Sequence, residues 1–251
     1  MSTNDWPARY DRLVLDETDS TLDEASRKFD TLTQDTWILA HRQTGARGRR
    51  GRAWVMPVGN FAATLAIRDR TNTIQSAQRS FVAALALYDS FVAITGRPDS
   101  FALKWPNDVL LNGGKVAGIL LEGICQKQGA VGVAVGIGVN LAAAPNAAQV
   151  EEHALRPVSI AGEFGIAVTP EDFLDILAPI YARYETQHTT YGFAPIRDAW
   201  LARATKLGEV ITARLPNETL TGTFETLDEN GYLILQTPKE RRKLAAADIF
   251  F

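Results

Sequence analysis

Residues 43–60 read Gln43-Thr44-Gly45-Ala46-Arg47-Gly48-Arg49-Arg50-Gly51-Arg52-Ala53-Trp54-Val55-Met56-Pro57-Val58-Gly59-Asn60, between the apolar runs Trp37–Ala40 and Phe61–Ile67. This placement predicts two buried strands joined by a long loop, the kind of connection that carries function. Gly45, Gly48 and Gly51 recur at every third position, a spacing that suits neither helix nor strand but lets backbone close around a ligand. Arg42, Arg47, Arg49, Arg50 and Arg52 stand beside them, and no Asp or Glu occurs between Asp35 and Asp69. Guanidinium forks and exposed backbone N–H groups match phosphate and carboxylate oxygens. The stretch therefore predicts an anionic partner and a mobile loop that repels itself for want of counter-charge. A solvated basic loop or a nucleic-acid docking patch is the other reading open to it.

The chain has 251 residues, 46% of them hydrophobic and 22% charged, which fits a globular protein with one large domain, or one large and one small. A net charge of -3 makes the arginine loop a local feature of a mildly acidic body, and argues against nucleic-acid binding through the overall field. Cys125 is the single cysteine, so no internal disulfide forms and a reducing, cytoplasmic compartment is expected. Met1 to Arg12 lacks the apolar core of a signal peptide. The run from Ala130 to Ala144, interrupted by Gly132, Gly136, Gly138 and Asn140, is too short for a membrane helix.

Along the chain, Tyr10 to Leu15 reads as a first strand, and Thr21 with Glu24 as a capping box opening a helix to about Leu32. Ser76 to Ile94 repeats apolar residues at helical spacing. Phe101 to Trp105 predicts a strand, and Val109 to Leu111 with Lys115 to Cys125 a hairpin around Asn112-Gly113-Gly114. Gln126 to Gly129 reads as a turn, Ala130 to Val139 as a strand, Ala142 to Arg156 as a loop and Pro157 to Gly162 as a short helix. Consecutive hairpins imply a mostly antiparallel sheet with helices on one side. Thr169-Pro170-Glu171-Asp172 starts a helix to about His188, and Phe193 to Ala204 is another. After Gly208 the pattern becomes short strands at Glu209–Leu215, Leu220–Leu227, Tyr232–Gln236 and Leu244–Phe250, with Pro238 to Arg241 as a turn. That module is too small to rely on its own core.

Three further stretches can share a site with the arginine loop: Lys104-Trp105-Pro106-Asn107-Asp108, Gly114-Lys115-Val116-Ala117-Gly118-Ile119-Leu120-Leu121-Glu122, and Gly136-Ile137-Gly138-Val139-Asn140. Singly, each also reads as a local turn, an exposed hairpin lysine or a crowded strand end. In this order and spacing, with Ser20 and Thr21 ahead of them, they resemble the biotin protein ligase family over almost the whole chain. The resemblance implies an α+β fold: a mixed, mostly antiparallel central sheet flanked by helices, of the class II synthetase-like biotin/lipoate ligase type. Its domains would be a catalytic one over 1–205 and an SH3-like β-barrel over 206–251.

It also implies a two-step ATP-dependent ligation. Biotin's carboxylate attacks the α-phosphate of ATP to give biotinyl-5'-AMP and pyrophosphate, and an acceptor lysine then displaces AMP. Lys115 and Arg49 would be catalytic. Ser20, Thr21, Leu22, Gln43, Arg47, Gly48, Arg49, Lys115 and Gly118 would bind biotin, with Ser20, Thr21 and Gln43 on its ureido ring. Arg49, Arg50, Arg52, Trp54, Lys104, Asn107, Asp108, Lys115 and Asn140 would bind ATP and the adenylate, Trp54 offering a face to adenine. Mg2+ would accompany ATP without a metal site made by the protein alone. The implied partner is the biotin carboxyl carrier protein or domain of acetyl-CoA carboxylase and related carboxylases.

Leu22 stands where the family usually has Asn, so one polar ureido contact is either missing or supplied by Asp23; Gly45-Ala46 replaces Ala-Gly, and Met56 a small polar residue. With a first strand near Tyr10, no DNA operator binding is expected. A strand near Ala130 to Val139 lying at a sheet edge would allow a homodimer. The rival readings are a lipoate or octanoate protein ligase and a non-catalytic RNA-binding protein that uses the arginine loop, with Trp54 and Trp105 as stacking groups.

Overall fold

The computed structural model describes residues 6–68, 73–125, 131–146 and 155–251. The turn expected at Gln126 to Gly129, the start of the following strand at Ala130 and residues 147–154 of the expected loop lie outside them.

The described residues of the N-terminal part form seven strands: β1 (Tyr10–Thr18), β2 (Asp35–Gln43), β3 (Phe61–Arg68), β4 (Phe101–Lys104), β5 (Asp108–Leu111), β6 (Gly114–Cys125) and β7 (Val131–Val139). Their order is β1-β2-β3-β7-β6-β5-β4. Only β1 and β2 pair in parallel, through the helix α1 (Thr21–Lys28) that joins them. The neighbouring pairs from β2 to β4 are antiparallel hairpins or returns. The expected edge position of residues 130–139 is therefore wrong: β7 is interior, with β3 on one side and β6 on the other, and its ladder offers nothing to a second copy. The apolar character of that segment had the other meaning, burial on both faces. Among the described residues the open edge belongs to β1, because the main chain of residues 203–205 bonds to Leu103 beside β4.

Helices lie on both faces, not one. Trp37, Leu39, Leu65, Val133 and Val135 point towards α2 (Thr73–Thr95), α4 (Pro170–Tyr191) and α5 (Phe193–Leu201), in a core that includes Phe61 edge-on to Phe173 at 4.9 Å. Alternate residues Ile38, Ala66 and Ala134 face Leu22 and Phe29 of the segment around α1. That second layer needs room: a Cβ on Gly132 would sit 2.1 Å from Phe29 and 2.5 Å from the Ile67 carbonyl. A short helix, α3 (Ile160–Phe164), begins three residues later than the sequence predicts. Within the main core, α2 and α4 are crosslinked by the buried pair Arg79–Glu185, Nη2 to Oε1 2.9 Å.

The C-terminal module is a five-stranded antiparallel sheet: β8 (Val210–Arg214), β9 (Thr219–Leu227), β10 (Leu233–Gln236), β11 (Arg241–Leu244) and β12 (Asp248–Phe250), in the order β11-β10-β9-β8-β12. The pattern is consistent with the expected SH3-like module, although the hydrogen-bonded ladder does not close. The single strand expected over Leu244–Phe250 is divided: residues 245–247 break it, and Arg241, expected in a turn, starts β11. The module leans on the larger part as its size demands. Trp105 Nε1 donates to the Gly231 carbonyl at 3.1 Å, and Gly231 adopts φ 86° where a Cβ would strike Phe81.

Candidate active site

The arginine loop leaves the end of β2 and folds back on itself. Its root is held by Thr44 and Gly45 N–H groups on the Thr18 and Asp19 carbonyls, and its tip by Gly48 N–H on Arg52 O at 2.7 Å and Trp54 N–H on Ala46 O at 3.0 Å. A single turn of 3-10 helix, Arg49–Gly51, forms the tip, with Arg50 at φ 58° and Gly51 at φ 74°. Of the three periodic glycines, only Gly51 uses the left-handed backbone that favours the residue.

The expectation that these cations lack counter-charges is overturned. Arg47 makes a bidentate pair with Asp23, 2.6 and 2.8 Å, and a second with Glu122, 3.1 and 2.8 Å. The Arg47 hydrogen bonds hold the Asp23 carboxyl below its usual range. Asp23 is thereby engaged by the loop, and it is not among the residues that line the cavity beneath it. Arg50 and Arg52 both reach Asp248 in β12, at 2.5 and 2.9 Å, and Arg42 reaches Glu17. The counter-charges come from residues distant in sequence, which a local charge window does not include. Arg49 is different: among the described residues no carboxylate lies within ion-pair distance of it, and its Nη1 meets only Asn107 Oδ1, at 3.4 Å. Burial pushes its guanidinium below the ordinary value, opposed by the fields of Asp248 and Asp108.

Asp248 therefore staples the loop to the C-terminal module. The pairs are partly exposed and worth up to about 1 kcal/mol. Asp248→Ala should raise amide hydrogen exchange of residues 47–54 by a few-fold, roughly that energy, with little change in melting temperature. Unaltered exchange in those amides would remove the staple.

Beneath the loop, Lys115 sits beside an irregularity in the β5–β6 ladder: Val109 faces Ala117 while Leu110 faces Lys115, leaving Val116 as an extra residue. Such bulges re-aim side chains. The Lys115 peptide is fixed from its other side by Arg156 O and Val158 N–H, at 2.8 and 3.0 Å. Its ammonium points into the site, 2.7 Å from Asp108 Oδ1. Lys104 is buried 3.9 Å from the same carboxylate, and burial lowers its pKa against the pull of Asp108. Asn107 donates to the Ile119 carbonyl at 2.6 Å. Trp54 lies on the sheet itself. Gly118 and Gly138 are cross-strand partners, and a Cβ on either would meet the indole, at 3.2 and 2.6 Å. The Lys115 ammonium is 5.6 Å from the indole ring.

At the other end, Ser20 and not Thr21 caps α1, its Oγ accepting from Leu22 N–H at 3.3 Å. That frees Thr21, whose N–H and hydroxyl both donate to Gln43 Oε1, at 2.8 and 3.1 Å. Leu22 packs over Gly136. Asn140 is buried at the end of β7 and accepts from Asn60 Nδ2 at 3.3 Å, while Asn60 also ties down the amides of Ala142 and Ala143.

One cavity of about 810 Å³ joins these parts. Ser20, Thr21, Leu22, Gln43, Arg47, Gly48, Arg49, Arg52, Trp54, Lys104, Asn107, Asp108, Lys115, Gly118 and Asn140 all line it. Arg50 does not; its guanidinium is paired with Asp248. The sequence reading missed the contribution of the C-terminal module, from which Arg214 and Asp248 to Phe251 close one wall. Nothing local marks those residues, because only the docking of the module brings them there. Chemically, the cavity offers a cationic section at Arg49, Arg52, Lys104 and Lys115, and a neutral polar section at Ser20, Thr21 and Gln43. It suits a ligand, or two, with charge at one end and amide-like groups at the other. A second hollow of about 510 Å³, between α5 and the C-terminal sheet, contains none of the predicted site residues.

Comparison with known proteins points to one family. The model described as biotin/lipoate A/B protein ligase family matches residues 14–140, and that described as biotin protein ligase C terminal domain matches 206–251. The chain is 56% identical over 238 residues, 95% of its length and 99% of the relative's, to a biotin--[acetyl-CoA-carboxylase] ligase of Paracoccus denitrificans. It is 29% identical over 94% of its length to the bifunctional ligase/repressor BirA of Bacillus subtilis, of which it covers 71%. Among solved structures, a biotin protein ligase from Aquifex aeolicus in complex with biotin and ATP superposes with a TM-score of 0.79 at 24% identity, covering 96% of this chain and 97% of that one.

Proposed function

Since the chain belongs to the biotin/lipoate A/B protein ligase family, we propose that the cavity beneath its arginine loop condenses biotin with ATP and passes the biotinyl group to a lysine of a biotin carboxyl carrier protein, that of acetyl-CoA carboxylase first. The observation that carries this reading is the pairing of Arg49 and Lys115 in one cavity whose far end is neutral and polar.

Both reactants are anions and repel each other, so the protein's task is to lower that repulsion where the carboxylate oxygen meets the α-phosphorus. As that bond forms and the bond to pyrophosphate breaks, charge accumulates on the non-bridging phosphate oxygens. Preorganised donors in a water-poor site stabilise it most. Arg49, with no carboxylate to satisfy it among the described residues, holds the biotin carboxylate and the α-phosphate together. Lys115 exchanges Asp108 for the phosphate oxygen. Arg52 meets the outer phosphates, and Asn140 the nucleotide. Trp54 gives adenine its apolar face once the indole leaves the glycine pair. In the second half-reaction the acceptor amine attacks the biotinyl carbonyl, and AMP leaves with the electron pair of the broken acyl–phosphate bond.

A magnesium ion that arrives with ATP is part of the same proposal: Mg2+ commonly takes one or two carboxylates beside phosphate oxygens, and the Asp108 carboxylate lies in the cavity beside Lys104 and Lys115. Asp108 is the carboxylate placed to serve, and the bound ion would neutralise phosphate charge. No described helix is long and apolar enough to cross a membrane; a cytoplasmic site of action is part of the same proposal.

The test is exchange of labelled pyrophosphate into ATP by the purified chain. Exchange should require biotin and be absent with lipoate or octanoate. Exchange supported by lipoate instead, or none with any of the acids, would end the assignment.

A further inference from the structure

The neutral end of the cavity has a direction built into its hydrogen bonds. Gln43 Oε1 receives both the Thr21 N–H, at 2.8 Å, and the Thr21 hydroxyl, at 3.1 Å. A backbone N–H cannot reverse, so the amide is fixed with its oxygen inward and its Nε2 outward. Among the described residues Nε2 meets only the thioether of Met56, at 3.9 Å, a weak acceptor. Thr21 has given away its one hydroxyl hydrogen, so the hydroxyl 2.8 Å away on Thr64 must be the donor to Thr21 Oγ1. The chain runs Thr64 to Thr21 to Gln43. Towards the cavity it leaves N–H donors on Gln43 and a lone pair on Thr21. Ser20 can turn its hydroxyl either way and does not set the direction.

Thr64 is fully buried in β3, opposite Ile38 on one side and Gly136 on the other. Valine would fill the same space without burying a hydroxyl, and Thr21 is the partner that satisfies this one. Resting on the ligase reading above, we infer that Thr64 is a positioning residue for the substrate's ring. By holding Thr21 in place against Gln43, it preserves the polarity that the Thr21 N–H sets, and that polarity makes the site select a neutral cyclic urea over a cationic guanidine of the same shape. A urea presents a carbonyl to Gln43 and an N–H to Thr21. The protonated guanidine sets N–H against N–H at Gln43 and leaves both unsatisfied.

Two arms test this, each following pyrophosphate exchange with biotin and with 2-iminobiotin, whose guanidine is protonated at neutral pH. Thr64→Val should raise the KM for biotin by about 10-fold, the worth of roughly one hydrogen bond, with the KM for ATP and the rate at saturating biotin within about twofold. Thr64→Ser should restore it. Gln43→Glu keeps an acceptor for Thr21 but turns a carboxylate oxygen to the cavity, and should shift the ratio of biotin to 2-iminobiotin specificity by about 100-fold towards the latter. The inference is overturned if Thr64→Val leaves the biotin KM unmoved or raises that for ATP in step, or if the ratio does not move in Gln43→Glu. Should Thr64→Val not fold, Thr64→Ala takes its place in the first arm with the same KM comparison, while Gln43→Glu tests the polarity. Wild-type chain that exchanges with biotin while these variants are indifferent removes this inference only; wild-type chain with no biotin-dependent exchange removes the ligase reading beneath it.

Discussion

Replacing Lys115 with alanine is expected to lower biotin-dependent pyrophosphate exchange by about 10²- to 10³-fold, the usual loss for one preorganised donor on a developing oxyanion. The fold should survive, because Lys115 is partly exposed and its structural duties are performed by its backbone, bonded to Arg156 and Val158. The loss has two parts. One is the missing ammonium; the other is Asp108, which loses the cation 2.7 Å away and faces the phosphates with the more distant Lys104, at 3.9 Å, as its remaining cation in the cavity. Asp108→Asn in the Lys115→Ala background should therefore recover part of the binding of ATP without recovering the rate. Arginine at 115 should not rescue, since its planar fork cannot occupy the place of a compact ammonium. A rate within about tenfold of wild type in Lys115→Ala would mean that the adenylation chemistry is driven from elsewhere in the cavity.

The largest effect on stability is expected at Arg79, far from the chemistry. Arg79 and Glu185 are 4% and 1% exposed, and they join α2 to α4. Removing one member of such a pair strands the other, at about 3–5 kcal/mol. Arg79→Met should lower unfolding free energy by that amount in denaturant titrations while keeping the side-chain volume. The effect also has a pH signature. Burial raises the Glu185 carboxyl above its ordinary value, opposed by Arg79. A carboxyl raised in the folded state holds its proton more tightly there than in the unfolded chain, so its cost is absent below the ordinary carboxylate range and grows as pH rises through the folded value. Without Arg79 the carboxyl rises further, and the deficit of the variant should shrink on going from about pH 8 to about pH 5. A deficit under about 1 kcal/mol, or one that grows on acidification, would show that the pair is not what joins the helices.

The contrast between these two sites explains what the sequence makes legible. Lys115 stands next to a Gly-Gly turn that fixes its hairpin, so its carboxylate partner Asp108 is near it in sequence as well as in space, although Arg156, Val158 and Trp54 are not. The arginine loop is likewise local, and the strands around it follow from apolar runs. The counter-charges are another matter. Asp248 lies 198 residues from Arg50, and only the docking of the C-terminal module makes them partners. The interior place of β7 escaped for a similar reason: a strand's own residues say how buried it is, but pairing order is settled by the rest of the sheet. The cap at Ser20 was misread because Thr21 fits the same pattern one residue later, and it took the partner Gln43, on β2, to claim the threonine. Thr64 gave no signal at all, since one threonine in an apolar strand reads as a β-former.

The facing glycines Gly118 and Gly138 make a bare strip of peptide, and Trp54 rests its indole on it with the Lys115 ammonium nearby. Four other tryptophans occur, at 6, 37, 105 and 200, and none of them borders the cavity. Light emitted by this one ring is thus coupled to whatever enters, so the chain carries its own optical gauge of filling, readable without dye or label, and the order in which the two small molecules arrive can be timed by mixing them in either sequence.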